Sequence, residues 1–295
     1  MKAIIIHGGA WNMPDSLDSA HLKGVQKACE AGRDALEDGR SSLDAVCDSL
    51  VVMEEDTTFD AGRGAFLNSA GKVELDAGIM VGKTRDFACC GALSSVRNPI
   101  MLCKKMLDVR PNTFLVGRGA DEFAHDCGIP KIDNSEFYTE RELSRYRKKT
   151  DVVESYFSPS DTVGAVALDD SGSIVCANTT GGTPGKPPGR VGDSPIVGCG
   201  IYATRHVGIA ATGHGEPIIK TVLTKRISDV YNDTGNLEKA ACQGIVELTA
   251  YGWGGIISLS SQGVAVAKHN TTKMPFAVWN EKTGAVQTSI RSKRE

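Results

Sequence analysis

No apolar run in this 295-residue chain approaches the length that a membrane-crossing helix needs. Charge of one sign is equally scarce: the net charge of −3 leaves no broad basic field for nucleic acid or acidic membranes. The nine cysteines contain no C-x-x-C spacing and the six histidines no metal-ligand spacing, which argues against a zinc centre or a disulfide framework. Reduced thiols packed as small hydrophobes are expected instead, in a reducing compartment. Ala3–Ile6 is too short for a signal-peptide core, so a cytoplasmic location is expected. No G-x-S-x-G turn occurs, and Pro195 after Ser194 speaks against a strained serine nucleophile served by His206 or His214. Gly198-Cys199-Gly200-Ile201-Tyr202-Ala203 has the spacing of a dinucleotide turn. It lacks a strand before it, and Val207–Thr212 after it reads as strand rather than helix. Gly185-Lys186 fails as a phosphate loop, because Thr180 takes the first glycine position and Pro187 the hydroxyl position.

What is present is an ordinary globular composition, 41% apolar and 23% charged, long enough to bury a large core. Ala3–Ile6 reads as a buried strand entering the turn Gly8-Gly9. Asp18 is placed to cap a helix with Leu22, Val25, Cys29 and Leu36 inward and Gly39 as its stop. A second helix starts near Ser42, with Leu43, Val46, Leu50 and Met53 inward. Strand-like segments follow at 73–80 and 86–93, then helices near 98–109 and 118–127. Val163–Leu168 and Ile174–Asn178 flank Asp169-Asp170-Ser171-Gly172, a hairpin signal. Residues 181–200, rich in Gly and Pro, read as a long structured loop. Val207–Thr212 is a strand, Pro217–Asp229 one helix, 236–250 another, and 255–259 with 263–267 a second hairpin. Hairpins with helices after them predict antiparallel sheets covered by helices, an α/β protein of the α+β kind.

Residues 130–161 are charged and weakly patterned, which predicts an exposed, mobile linker, with a solvated helix around 138–148 as a further reading. The linker ends at Asp161-Thr162, where the buried strand begins. Threonine inside a chain is a poor nucleophile. If the bond before Thr162 is cut, the freed α-amine, with a pKa of about 7.7–8.0, becomes its general base. A strand that merely starts with Thr looks the same, since Thr favours strands. Four glycine turns carry the other polar residues: His7–Trp11, Asp60–Asn68, Gly189–Pro195 and Thr212–Glu216. Glycine lets backbone N–H groups approach a carboxylate or an oxyanion closely. Arg190 and Asp193 together suit a zwitterion, Arg forking onto a carboxylate and Asp accepting from an ammonium. The plainer reading of the pair is a loop salt bridge.

The segments Thr162-Val163-Gly164-Ala165-Val166-Ala167-Leu168-Asp169, Gly189-Arg190-Val191-Gly192-Asp193-Ser194-Pro195 and Thr212-Gly213-His214-Gly215-Glu216, in this order, resemble the plant-type asparaginase/isoaspartyl peptidase family. That family belongs to the N-terminal-nucleophile (Ntn) hydrolases, together with glycosylasparaginases and taspases. The resemblance runs from His7-Gly8-Gly9-Ala10 to Thr271-Thr272-Lys273-Met274-Pro275. It implies a single Ntn domain over 1–295, a four-layer αββα sandwich, cut into an α chain 1–161 and a β chain 162–295 and assembled as a dimer of such pairs. Thr162 would be the nucleophile, Thr180 would orient its hydroxyl, and Thr212 with the Gly213 N–H would form the oxyanion hole. Arg190 would bind the substrate carboxylate, and Asp193 with the Gly215 carbonyl its amine. The substrates implied are asparagine and isoaspartyl dipeptides, hydrolysed through a β-aspartyl ester without an organic cofactor.

Three positions depart from the plant-type pattern. Asp161 stands where Gly usually precedes the nucleophile, as in the glycosylasparaginase and taspase branches. Asp60 replaces the Asn of an Asn-Ala-Gly turn, where it either touches substrate or simply forms the turn. Trp11 is similar to a pocket Trp of glycosylasparaginase, and otherwise packs under its loop. A glycosylasparagine hydrolase, or an uncleaved inactive relative that only binds, therefore remain alternatives. The loop 55–66 resembles the family's sodium-binding turn, which uses backbone carbonyls and would be structural.

Overall fold

The structure is a computed structural model and describes residues 1–148 and 162–291. Its centre is the strand pair predicted around the 169–172 turn. β5 (Val163–Leu168) and β6 (Ile174–Thr180) run antiparallel, Val163 opposite Thr179 and Leu168 opposite Ile174. Both are buried along their whole length, because one face meets helices and the other a second sheet. β1 (Ala3–Gly8) adds to β5, and β2 (Leu75–Val81) and β3 (Phe87–Leu93) extend the sheet beyond β6. With β4 (Thr113–Val116), β11 (Phe276–Asn280) and β12 (Gln287–Ser289), the order is β12-β11-β1-β5-β6-β2-β3-β4. The second sheet is β10-β9-β8-β7, built from β7 (Ile201–Ala203), β8 (Val207–Gly213), β9 (Gly254–Ser260) and β10 (Ala265–His269).

Three apolar clusters separate four layers. Alternation along β1 shows how: Ile4 and Ile6 face helices α1 (Asp18–Glu37) and α2 (Ser42–Glu55), while Ala3 and Ile5 face the second sheet. The first cluster also takes in α3 (Pro99–Val109) and α4 (Gly117–Asp126). The middle cluster joins Val166 and Cys176 to Ile257 and Leu259 across the two sheets. The third packs Ile209, Ala211 and Ile256 under α6 (Gly215–Thr221), α7 (Leu223–Thr234) and α8 (Leu237–Thr249). This is the expected four-layer αββα sandwich. All nine cysteines are free thiols, seven of them buried. Among the described residues no helix is long and apolar enough to cross a membrane.

Several elements differ from the sequence reading. The sheets are not purely antiparallel: β4 joins β3 in parallel, because α3 forms the crossover between them. Asp18 does not cap α1. Leu17 holds the cap position without a side-chain bond, and the Asp18 carboxylate accepts from Lys273 Nζ at 2.6 Å. The single helix expected over Pro217–Asp229 is two, broken at Val222, whose backbone is left-handed at φ 47°. The break turns the Lys225 N–H onto the Gly198 carbonyl, 3.0 Å away in the long loop. Of the segment read as a linker over 130–161, residues 130–148 are folded. Phe137 is fully buried, and α5 (Glu140–Arg147) sends Arg141 to the Thr58 and Gly64 carbonyls. The rest of that segment, with Asp161, lies outside the described residues.

Candidate active site

Strand register sets the centre of the site. Because Val163 pairs with Thr179, Thr162 falls opposite Thr180 at the end of the β5–β6 ladder. Thr162 Oγ donates to Thr180 Oγ at 3.1 Å, and Thr180 Oγ also accepts from the Gly182 N–H at 3.0 Å. From the second sheet, Thr212 Oγ donates to the Thr162 carbonyl at 3.4 Å. All three threonines are buried. The next residue, Gly213, has φ 132°, and a Cβ there would meet Gly254 Cα at 2.4 Å, so only glycine lets β8 and β9 close beside Thr212.

A polar pair braces this junction. Asn178 Nδ2 donates to the Gly200 and Ala211 carbonyls at 3.0 and 2.9 Å, tying the Thr180 strand to the Thr212 strand and to the loop. The His7 ring lies against the Asn178 side chain and the Thr162 backbone. Burial pushes His7 down to about 3, so it is neutral, and its Nδ1 accepts from the Gly9 N–H.

Arg190 and Asp193 both come close to Gly215, at the start of α6. A Cβ built on Gly215 would stand 2.9 Å from Asp193 Oδ1 and 3.0 Å from an Arg190 guanidinium nitrogen. They do not form the loop salt bridge of the plainer reading: Arg190 binds Glu216 at 2.9 Å, and Asp193 Oδ2 is buried with no hydrogen-bond partner. Burial, partly offset by Arg190, pushes the Asp193 carboxyl up to about 7. A buried carboxyl with one oxygen unpartnered has the capacity to accept from a cationic group. His214, read as a loop residue, stacks on Trp253 and lies 3.4 Å from Glu216.

Asp60 is buried against the same centre: its carbonyl accepts from the Gly181 N–H at 2.9 Å, and its Oδ1 from the Phe66 N–H at 2.8 Å. Those two bonds hold the turn in place. Trp11 bridges Lys273 through the backbone and carries a buried indole N–H without a partner.

Three features were missed from sequence. Ser194, set aside as a rival nucleophile, has its hydroxyl 3.3 Å from Thr162 Oγ. Asp76 and Lys186 form a buried pair at 3.8 Å, and Asp76 stands opposite Thr180 in the sheet. Glu54 accepts from Thr179 Oγ at 2.7 Å and is pushed by burial up to about 8. Only the hydroxyl inside the Gly-Asp-Ser-Pro turn offered any signal; the others depend on contacts between distant segments.

A family model described as asparaginase matches residues 1–288. The isoaspartyl peptidase/L-asparaginase of Xenopus laevis is 37% identical over 282 residues, covering 93% of this chain and 91% of the relative. The human protein of that name is 37% identical over 287 residues, covering 93% and 92%. A plant-type L-asparaginase from Pyrococcus abyssi is 36% identical over 299 residues, covering 95% and 97%. An αββα sandwich with a threonine at the head of its central strand, and relatives matched end to end, lead to one conclusion: this chain belongs to the asparaginase family.

Proposed function

We propose that this protein is a self-cleaving threonine amidohydrolase acting on the β-amide of L-asparagine and on β-aspartyl dipeptides. The observation that carries the reading is the meeting of the Thr162 and Thr180 hydroxyls at 3.1 Å, with Thr212 on the Thr162 carbonyl. Cutting before Thr162 frees an α-amine that takes the Oγ proton as Oγ attacks the substrate's β-carbonyl. Thr212 Oγ and the Gly213 N–H stabilise the oxyanion, a contribution of about 2.7–4 kcal/mol per donor. The amine's proton passes to the departing ammonia or amino component, and water then opens the β-aspartyl ester. Arg190 holds the substrate carboxylate. Asp193 Oδ2, buried and unpartnered, takes the ammonium together with the Gly215 carbonyl. Asp60 shapes the wall beside Gly181 and contacts the substrate from there.

The loop 55–66 fits a structural sodium ion held by carbonyls. A Cβ on Gly64 would meet the Phe59 and Thr57 carbonyl oxygens at 2.6 and 2.9 Å, a cradle that a side chain would fill. The buried free thiols suit a reducing, cytoplasmic setting, and the working form is a homodimer of cleaved chains.

Steady-state assays on asparagine, a β-aspartyl dipeptide and glycosylasparagine test the substrate class. The reading expects turnover of the first two, lost in Arg190→Ala. Turnover of glycosylasparagine alone would move the protein to the glycosylasparaginase branch.

A further inference from the structure

Ser194 is fully enclosed and fixed in place. The Gly200 N–H donates to the Asp193 carbonyl, and a Cβ on Gly200 would stand 2.6 Å from Ser194 Cα. On the other side, a Cβ on Gly78 would meet Pro195 Cα at 3.0 Å. Two glycines thus let neighbouring backbone close around the Ser194-Pro195 step. The result aims the Ser194 hydroxyl at Thr162 Oγ, 3.3 Å away. The Thr162 proton points to Thr180 Oγ, so the remaining contact is filled by Ser194 donating to a Thr162 lone pair.

A donor on this oxygen acts differently in the two halves of the reaction. During attack it draws electron density from the nucleophile and gives no advantage. Once the β-aspartyl ester has formed, Thr162 Oγ carries no proton and only accepts. When water adds to the ester carbonyl, the C–O bond to water forms and the C–Oγ bond breaks. The neutral α-amine takes the attacking water's proton, the electron pair of the broken bond stays on Oγ, and Oγ takes that proton back from the α-ammonium so formed. Resting on the threonine reading above, we infer that Ser194 is the catalytic hydrogen-bond donor to Thr162 Oγ as it leaves, and therefore serves deacylation. The bond broken when self-cleavage resolves its ester is of the same kind, so Ser194 serves that step too.

Hydrogen bonds to a developing charge correspond to about tenfold to a hundredfold in rate. Ser194→Ala is therefore expected to slow steady-state hydrolysis of a β-aspartyl anilide by that factor. A burst of one anilide per active site persists, and intact mass shows the β chain carrying one aspartyl group. Added hydroxylamine, a stronger nucleophile than water, restores turnover, and Ser194→Thr, which keeps the hydroxyl, retains most of the wild-type rate. If the alanine variant stays uncut, hydroxylamine should split it at Thr162, because the block lies at ester hydrolysis. A slowed burst without an aspartyl adduct, a wild-type rate, or an uncut chain that resists hydroxylamine overturns the inference. Failure of the parent reading looks different: wild-type enzyme quenched during turnover then yields no adduct on Thr162, and Thr162→Ala remains active.

Discussion

Arg190 and Asp193 approach the same point above Gly215 without pairing with each other. Glu216 holds the guanidinium, and Asp193 keeps one carboxylate oxygen buried and unpartnered. The guanidinium is thereby held by Glu216 rather than by the buried Asp193 oxygen.

The approach of both groups depends on the missing Cβ at Gly215. Gly215→Ala places a methyl within 3.0 Å of both charged groups and should raise KM for asparagine by about tenfold or more, with little change in Tm. Parallel kinetics and thermal unfolding check this. An unchanged KM would mean that the substrate head does not sit there.

Asp193 gives the site a pH dependence. Its carboxyl is pushed up to about 7, and only the ionised form pairs with an ammonium. KM should therefore climb as pH falls below about 7, approaching tenfold per unit. Asp193→Asn should raise KM at every pH and flatten the profile. Initial rates across pH 5 to 9 decide it.

Glu54 sets a stability trend of the opposite kind to an ordinary carboxylate. Its folded-state value is raised to about 8 from 4.5, so the folded chain holds a proton that the unfolded chain releases between those values. The stability it contributes is present below about 4.5 and is lost as pH rises through about 8, with a slope of up to about 1.4 kcal/mol per unit. Glu54→Gln keeps an acceptor for Thr179 and should flatten that trend in denaturant melts. A variant with the wild-type slope would show that Glu54 is ionised when folded.

Asn178→Ala leaves the Gly200 carbonyl with only its bond from the Ala211 N–H, and takes the side-chain donor from the Ala211 carbonyl. A loss of about 2–3 kcal/mol in unfolding free energy is expected, together with slower self-cleavage. Denaturant titration and a cleavage time course report the two effects separately.

Local signals carried much of this protein. The Asp169–Gly172 turn fixes the β5–β6 hairpin, and the hairpin's register alone brings Thr162 opposite Thr180. Arg190 and Asp193 stood out as opposite charges in a glycine loop. What stayed hidden depends on distant segments meeting. The Val222 break has no Gly or Pro to announce it, since a carbonyl in the 181–200 loop receives the freed N–H of Lys225. Parallel β4 is short and half exposed, too weakly patterned to read as a strand. Ser194 was set aside because Pro195 speaks against a strained nucleophile turn, yet its hydroxyl lies 3.3 Å from Thr162 Oγ.

The most direct test is intact-mass analysis of purified protein over several days, beside Thr162→Ala. The account predicts that the wild-type chain alone resolves into two fragments, the smaller beginning at Thr162. A wild-type chain that stays whole while hydrolysing asparagine, or a Thr162→Ala chain that still cuts, would contradict it.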